Sequence, residues 1–263
     1  MRFKPNRSLV GMVHVGALPG TPAANTPVEL LAANAAMEAR ALAEAGFDAI
    51  IIENMHDTPY VQGDRLGPEV VAAMTRVALE VEAAAPVPIG VQILSGGARH
   101  ALAVAAASTA TFIRVENFAF AHVADEGLMA EAEPGPLLRY RRTIDAFHVK
   151  IYADIKKKHA SHALTADIDI ADAARAAEFF GADGLIVTGA WTGHAATPDD
   201  IARAKEASSI PLLVGSGVTS ENVGDYLEVA DAVIIGSAIK HEGDWRNPVD
   251  PLAAERLVKS ARG

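Results

Sequence analysis

Pro211-Leu212-Leu213-Val214-Gly215-Ser216-Gly217 is a short apolar run that drops straight into a glycine turn, and Ala232-Val233-Ile234-Ile235-Gly236-Ser237 repeats the arrangement near the C-terminus. Runs this short and this apolar on both faces are the signature of strands in a covered parallel sheet. Working outward, the same grammar of apolar run, polar loop and alanine-rich helical stretch recurs along the whole chain. The runs fall at residues 9–15, 49–53, 89–94, 111–116, 149–154, 184–188, 211–214 and 232–235. Eight such units in 263 residues predict one (β/α)8 TIM barrel spanning residues 1–263. An open doubly wound sheet is the rival architecture, and eight units in this length disfavour it.

Helix signals sharpen the loop boundaries. Thr26-Pro27-Val28-Glu29, Thr197-Pro198-Asp199-Asp200 and Asp250-Pro251 each read as an N-cap followed by proline at the first helical position. Gly46 and Gly181 read as helix stops before the next strand. Two connections, residues 54–66 and 117–136, are long enough to carry function. Half the residues are hydrophobic but only 5% are aromatic, so the core must be built from aliphatic side chains. The absence of cysteine excludes disulfides, thiolate metal sites and a cysteine nucleophile. A net charge of −10 argues against nucleic-acid and anionic-membrane partners. The apolar run behind the basic N-terminus is too short for a signal sequence, and no stretch approaches a membrane span, so a cytoplasmic protein is expected.

Several strand ends resemble a known family. Gly11-Met12-Val13-His14-Val15-Gly16-Ala17-Leu18-Pro19-Gly20, Glu53-Asn54-Met55-His56-Asp57-Thr58-Pro59-Tyr60, Phe112-Ile113-Arg114-Val115, Leu138-Arg139-Tyr140-Arg141, Ala153-Asp154-Ile155-Lys156-Lys157-Lys158-His159-Ala160, Val187-Thr188-Gly189-Ala190-Trp191-Thr192-Gly193 and Val214-Gly215-Ser216-Gly217-Val218-Thr219 are similar to the BtpA/SgcQ family. The resemblance covers essentially the whole chain. It implies a barrel of the ribulose-phosphate-binding group, in a family named for a photosystem I biogenesis protein and with another member among sugar-uptake genes.

The residues themselves suggest a division of labour. Gly215, Ser216, Gly217, Gly236 and Ser237 can offer converging backbone N–H groups to a phosphate, aided by a helix expected to begin near Thr219 or Ser220. The plain alternative is a pair of tight turns. Glu53, Glu116 and Asp154 end strands at one mouth, where clustered carboxylates suit acid-base work or a shared cation; salt bridges to Arg114 and Lys156 are the structural alternative. Asp154 and Lys156, two apart, should face the same side and form a proton-transfer pair, with Lys157 and Lys158 solvated. A Schiff-base lysine would need a drier setting. His14 and His159 are further acid-base candidates. Asn54, Asp57, Gln92, Arg114, Thr188 and Gly189 are candidate substrate contacts, and Trp191 is placed to cover a ring. No cofactor is required; if a divalent cation binds, Glu53, Glu116, Asp154 or His159 would hold it, with His56 and His162 also near.

These features predict an enzyme acting on a small phosphorylated sugar or ribosyl compound, of isomerase, epimerase or lyase type. A nucleosidase-like cleavage of a glycosyl bond is the second reading, and a non-catalytic assembly factor is the third. A homo-oligomer is expected, with Arg139, Arg141 and Arg142 available for an interface.

Overall fold

A computed structural model describes residues 6–189 and 196–263. Eight strands close into a parallel barrel: β1 (Ser8–His14), β2 (Ala49–Glu53), β3 (Ile89–Gln92), β4 (Phe112–Val115), β7 (Lys150–Ile155), β9 (Gly184–Thr188), β10 (Leu212–Gly215) and β11 (Ala232–Ile235), with β11 pairing back onto β1. The helices that alternate with them are α1 (Val28–Ala45), α2 (Pro68–Ala84), α3 (Ala98–Ala106), α4 (Pro134–Thr143), α5 (Ile170–Phe179), α6 (Pro198–Ala207), α7 (Val223–Val229) and α8 (Pro251–Arg262). The chain is therefore a (β/α)8 TIM barrel.

Strand alternation divides the core in two. Outward-facing Leu9, Val13, Ile50, Ile52, Val91, Ile113, Leu185 and Val214 pack under the helices. Inward-facing Val10, Met12, Ala49, Ile51, Phe112, Tyr152, Ile186, Leu213, Ala232 and Ile234 fill the barrel. Two large rings fit inside because their neighbours are glycines. A Cβ on Gly90 would lie 2.2 Å from the Phe112 ring, and one on Gly184 would lie 2.5 Å from Tyr152. The rings meet edge to face at 5.5 Å, a favoured aromatic geometry.

Helix punctuation follows the sequence in most places. Thr197 accepts from Asp200 N–H at 3.1 Å, Asp250 accepts from Leu252 N–H at 2.9 Å, and Gly46 and Gly181 take positive φ at the ends of α1 and α5. Two expectations are corrected. Thr26 does not cap α1: the helix begins one residue later behind Pro27, and the Thr26 hydroxyl donates to Asn25 instead. Nor does a helix begin at Thr219 or Ser220. The Thr219 N–H is taken by the Asn222 side chain at 2.8 Å, and α7 starts only at Val223.

Loop structure also goes beyond what patterning predicts. Strands β5 (His122–Ala124), β6 (Gly127–Met129) and β8 (Ala160–Ser161) form a small antiparallel sheet that ties the loop after β4 to the loop after β7. These strands are too short to announce themselves by periodicity. No helix among the described residues is long and apolar enough to cross a membrane.

Candidate active site

Every inward-facing column of the barrel ends at the C-terminal mouth, and several end in a polar side chain. Val10 and Met12 lead to His14, Ala49 and Ile51 to Glu53, Gly90 to Gln92, Phe112 to Arg114 and Glu116, and Tyr152 to Asp154. The polar ends of these columns line one cavity of about 530 Å³, floored by Met12 and Ile234. Loop residues close its sides: Tyr60 after β2, Asp125 and Glu126 from the small sheet, Lys157, Lys158 and His159 after β7, and Trp245 after β11.

Charges at the mouth are partly matched. Arg114 donates to both carboxylate oxygens of Asp154, at 2.9 and 3.0 Å, and both groups are buried. Lys157 pairs with Glu116 at 3.2 Å. Burial would raise the Glu116 pKa, but Lys157 and Arg114 hold it below the ordinary value. Among the described residues Glu53 has no lysine or arginine partner, and it is only 5% exposed. Burial pushes its pKa up to about 7; Arg114 and Lys158 oppose the shift, while Glu116 and Asp154 add to it. Here the cause is chiefly desolvation, with carboxylate repulsion a lesser contribution.

His14 sits beside Glu53, with Nε2 3.8 Å from Oε2. Its Nδ1 bonds the Trp245 carbonyl at 2.8 Å. Since a carbonyl only accepts, Nδ1 carries the proton and Nε2 presents a lone pair. Burial, then Lys240, lowers the His14 pKa to about 3, so the ring is neutral across the physiological range. The carboxamide oxygen of Gln92 is buried at this cavity with no hydrogen-bond partner among the described residues. A polar ligand atom would satisfy it.

Across the mouth, Ser216, Gly217, Val218, Thr219, Gly236, Ser237 and Ala238 supply the opposite wall. Ser216 and Gly217 both take positive φ, 72° and 70°. Among the described residues, the backbone N–H groups of Gly217, Val218 and Gly236 donate to no protein acceptor. Backbone N–H groups left unengaged at successive turns can form a concavity of positive potential suited to an anion. Gly215 stands just behind it, with the position of a Cβ 3.9 Å from Arg114 Nη2.

A family model described as the BtpA family matches residues 5–263. The chain belongs to the BtpA family. Among its relatives, an uncharacterized mitochondrial protein of Caenorhabditis elegans is 39% identical over 97% of this chain and 93% of its own. The photosystem I biogenesis protein BtpA of Synechocystis is 32% identical, over 98% of this chain and 89% of its own. Orotidine 5′-phosphate decarboxylase of Pyrococcus horikoshii shares the fold, with a TM-score of 0.59 at 14% identity, covering 97% of this chain and 98% of that one.

In this BtpA-family chain several expected site residues are employed elsewhere. Asn54 is fully buried: its amide group donates to Asp57 at 2.8 Å and to the Leu94 carbonyl at 3.2 Å, and its oxygen accepts from Leu94 N–H at 2.7 Å. Asp57 also accepts from Leu18 N–H at 2.8 Å. Both side chains therefore fasten the loops after β1, β2 and β3 together, leaving little capacity for substrate. Thr188 accepts from Lys158 N–H at 3.1 Å and positions that loop; neither it nor Gly189 lines the cavity. Lys156 does not join Asp154 in lining this cavity. Its φ of 47° breaks the strand alternation and turns the next residues inward, so that Lys157 and Lys158, expected to be solvated, line the cavity.

Nor do the expected metal ligands converge. Among the described residues no three of His, Asp and Glu are placed to hold an ion. Arg114 occupies Asp154, Lys157 occupies Glu116, His56 packs on Trp245 at 5.2 Å, and His162 contacts the Lys157 carbonyl. Trp191 lies outside the described residues. Two further lining residues are not among the sequence candidates: Tyr60 stands in the family-like stretch after β2 without a role of its own, and Trp245, one of only two tryptophans in the chain, comes from a loop with no strand-end signature.

Proposed function

We propose that this BtpA-family barrel is an enzyme acting on a small phosphorylated sugar or ribosyl compound, with proton-transfer chemistry of the isomerase, epimerase or lyase type. The observation that carries this reading is the pairing, across one cavity, of unengaged backbone amides at Gly217, Val218 and Gly236 with a buried carboxyl, Glu53, whose pKa of about 7 suits exchange of protons at neutral pH. The amides would take the phosphate and fix the sugar's reactive end toward β2, β4 and β7. Glu53 would remove or return a proton next to a carbonyl. Arg114, held rigid by Asp154, would stabilise negative charge developing on the substrate's carbonyl oxygen, and Gln92 would orient a hydroxyl or carbonyl.

Thermal shift tests the binding half of this reading. Inorganic phosphate, ribose 5-phosphate and ribulose 5-phosphate should raise the melting temperature, whereas ribose and ribulose should not. If no phosphorylated compound stabilises the protein, the reading fails. For the chemical half, Glu53→Gln should keep the shift and lose turnover by about 10²- to 10⁴-fold, the usual range for a general acid or base.

The name of the Synechocystis relative favours a second reading, an assembly or stability factor that uses the barrel as a scaffold. Such a factor would keep its full effect on its partner in the Glu53→Gln protein.

A further inference from the structure

Three basic groups in and behind the mouth have carboxylate partners: Arg114 with Asp154, Lys157 with Glu116, and Lys240 with Glu38. Lys158 is different. It lines the same cavity, and among the described residues no ion pair or hydrogen bond engages its ammonium group. Its backbone is anchored through its N–H to the Thr188 hydroxyl at 3.1 Å, so the side chain springs from a fixed point between β7 and β9.

We infer that Lys158 is a covalent nucleophile, forming an imine with the open-chain carbonyl of a phosphorylated aldose or ketose held in this cavity. The inference rests on the phosphate reading given above. A lysine attacks a carbonyl only as the neutral amine, which requires a dry site or a neighbouring cation. Lys158 has both: burial, then the Arg114 guanidinium, lowers its pKa, outweighing the opposite pull of Glu53, Asp154 and Glu116.

The amine lone pair adds to the carbonyl carbon, the C=O π pair moves to oxygen, and that oxygen takes a proton from the attacking nitrogen to give a carbinolamine. Glu53, protonated up to about pH 7, donates a proton to the carbinolamine hydroxyl. Water leaves, and the nitrogen lone pair closes the C=N bond as an iminium ion. No oxidant or reductant is consumed. The iminium acidifies the adjacent C–H, and the Glu53 carboxylate left by the proton transfer is the base that can remove it.

The test is reductive trapping on the full chain. Glyceraldehyde 3-phosphate or ribose 5-phosphate is added with cyanoborohydride at pH 7, and peptide mass spectrometry locates the adduct. The expected result is modification of Lys158 at least tenfold faster than of any other lysine, slowed by inorganic phosphate. In Lys158→Arg the adduct should disappear while the thermal shift with phosphate remains. Adducts distributed over surface lysines with no excess at Lys158, alongside a retained phosphate shift, would overturn the imine and leave the phosphate reading standing. Absence of both the shift and the adduct would overturn the two together. Because mapping on the unmodified chain carries the decision, a Lys158→Arg protein that fails to fold does not weaken the test.

Discussion

Burying Glu53 carries a pH-dependent cost in stability. Its pKa is raised from an ordinary 4.5 to about 7, so the folded state retains a proton that the unfolded state releases. The stability this contributes is complete below pH 4.5 and is lost as the pH rises to about 7, a difference of roughly 3 kcal/mol by linkage. Glu53→Gln has no such titration. Compared with the parent, it should gain stability between pH 4 and pH 8, read as the change in urea midpoint at each pH. His14 runs the other way in both proteins: its pKa of about 3 leaves stability intact above 6.5 and removes it toward pH 3. The comparison between variant and parent therefore isolates Glu53. The Arg114–Asp154 pair carries a different risk. Removing one partner leaves a buried charge unmatched, so Asp154→Asn should cost about 3–5 kcal/mol in equilibrium unfolding. Replacing both by apolar residues of similar volume should cost less, which separates a structural from a chemical contribution of Asp154.

At the level of elements, the barrel interior depends on glycines placed beside rings. Gly90 of β3 and Phe112 of β4 are register partners, and a methyl at Gly90 would enter the ring itself. Since β3 and β4 are hydrogen-bonded on both sides, neither can retreat, and Gly90→Ala should destabilise the fold by at least the 1–3 kcal/mol typical of overpacking. Calorimetry would detect it. Gly236 offers a contrast on the mouth side. An added Cβ there would find its nearest contact at 3.7 Å, on His14 Nε2, an ordinary van der Waals distance. Gly236→Ala should therefore meet no steric clash and fold, yet bind phosphate more weakly, measurable by calorimetric titration. Equal affinity in the two proteins would remove Gly236 from the proposed anion site.

For the whole molecule, the consequential feature is that one cavity gathers residues from the ends of β1, β2, β3, β4, β7, β10 and β11 or the loops that follow them. Ligand binding there links segments from His14 to Trp245, so saturation should raise global stability rather than local order. At a hundred times its dissociation constant, a phosphorylated ligand binding only the folded state contributes about 2.7 kcal/mol. The small sheet β5–β6–β8 belongs to the same scale, since it couples the loop bearing Glu126 to the loop bearing Lys158 and His159.

Sequence alone determined the barrel, its strand order and the polar ends of its inward columns. Those features depend on hydrophobic period, chain length and the two-residue alternation of a strand, all of which are local. Glu53, Glu116, Asp154, Arg114, Gln92 and His14 could be located at the mouth for that reason. What only the tertiary structure decided is how each group is spent. Asn54 and Asp57 saturate one another and the backbone of distant loops, and Arg114 takes Asp154 rather than leaving it open. A single positive φ at Lys156 exchanges which lysines face the cavity. Hydrogen-bond partners, desolvation and the backbone path beyond a strand depend on segments far apart in sequence. They exist only once the barrel has closed.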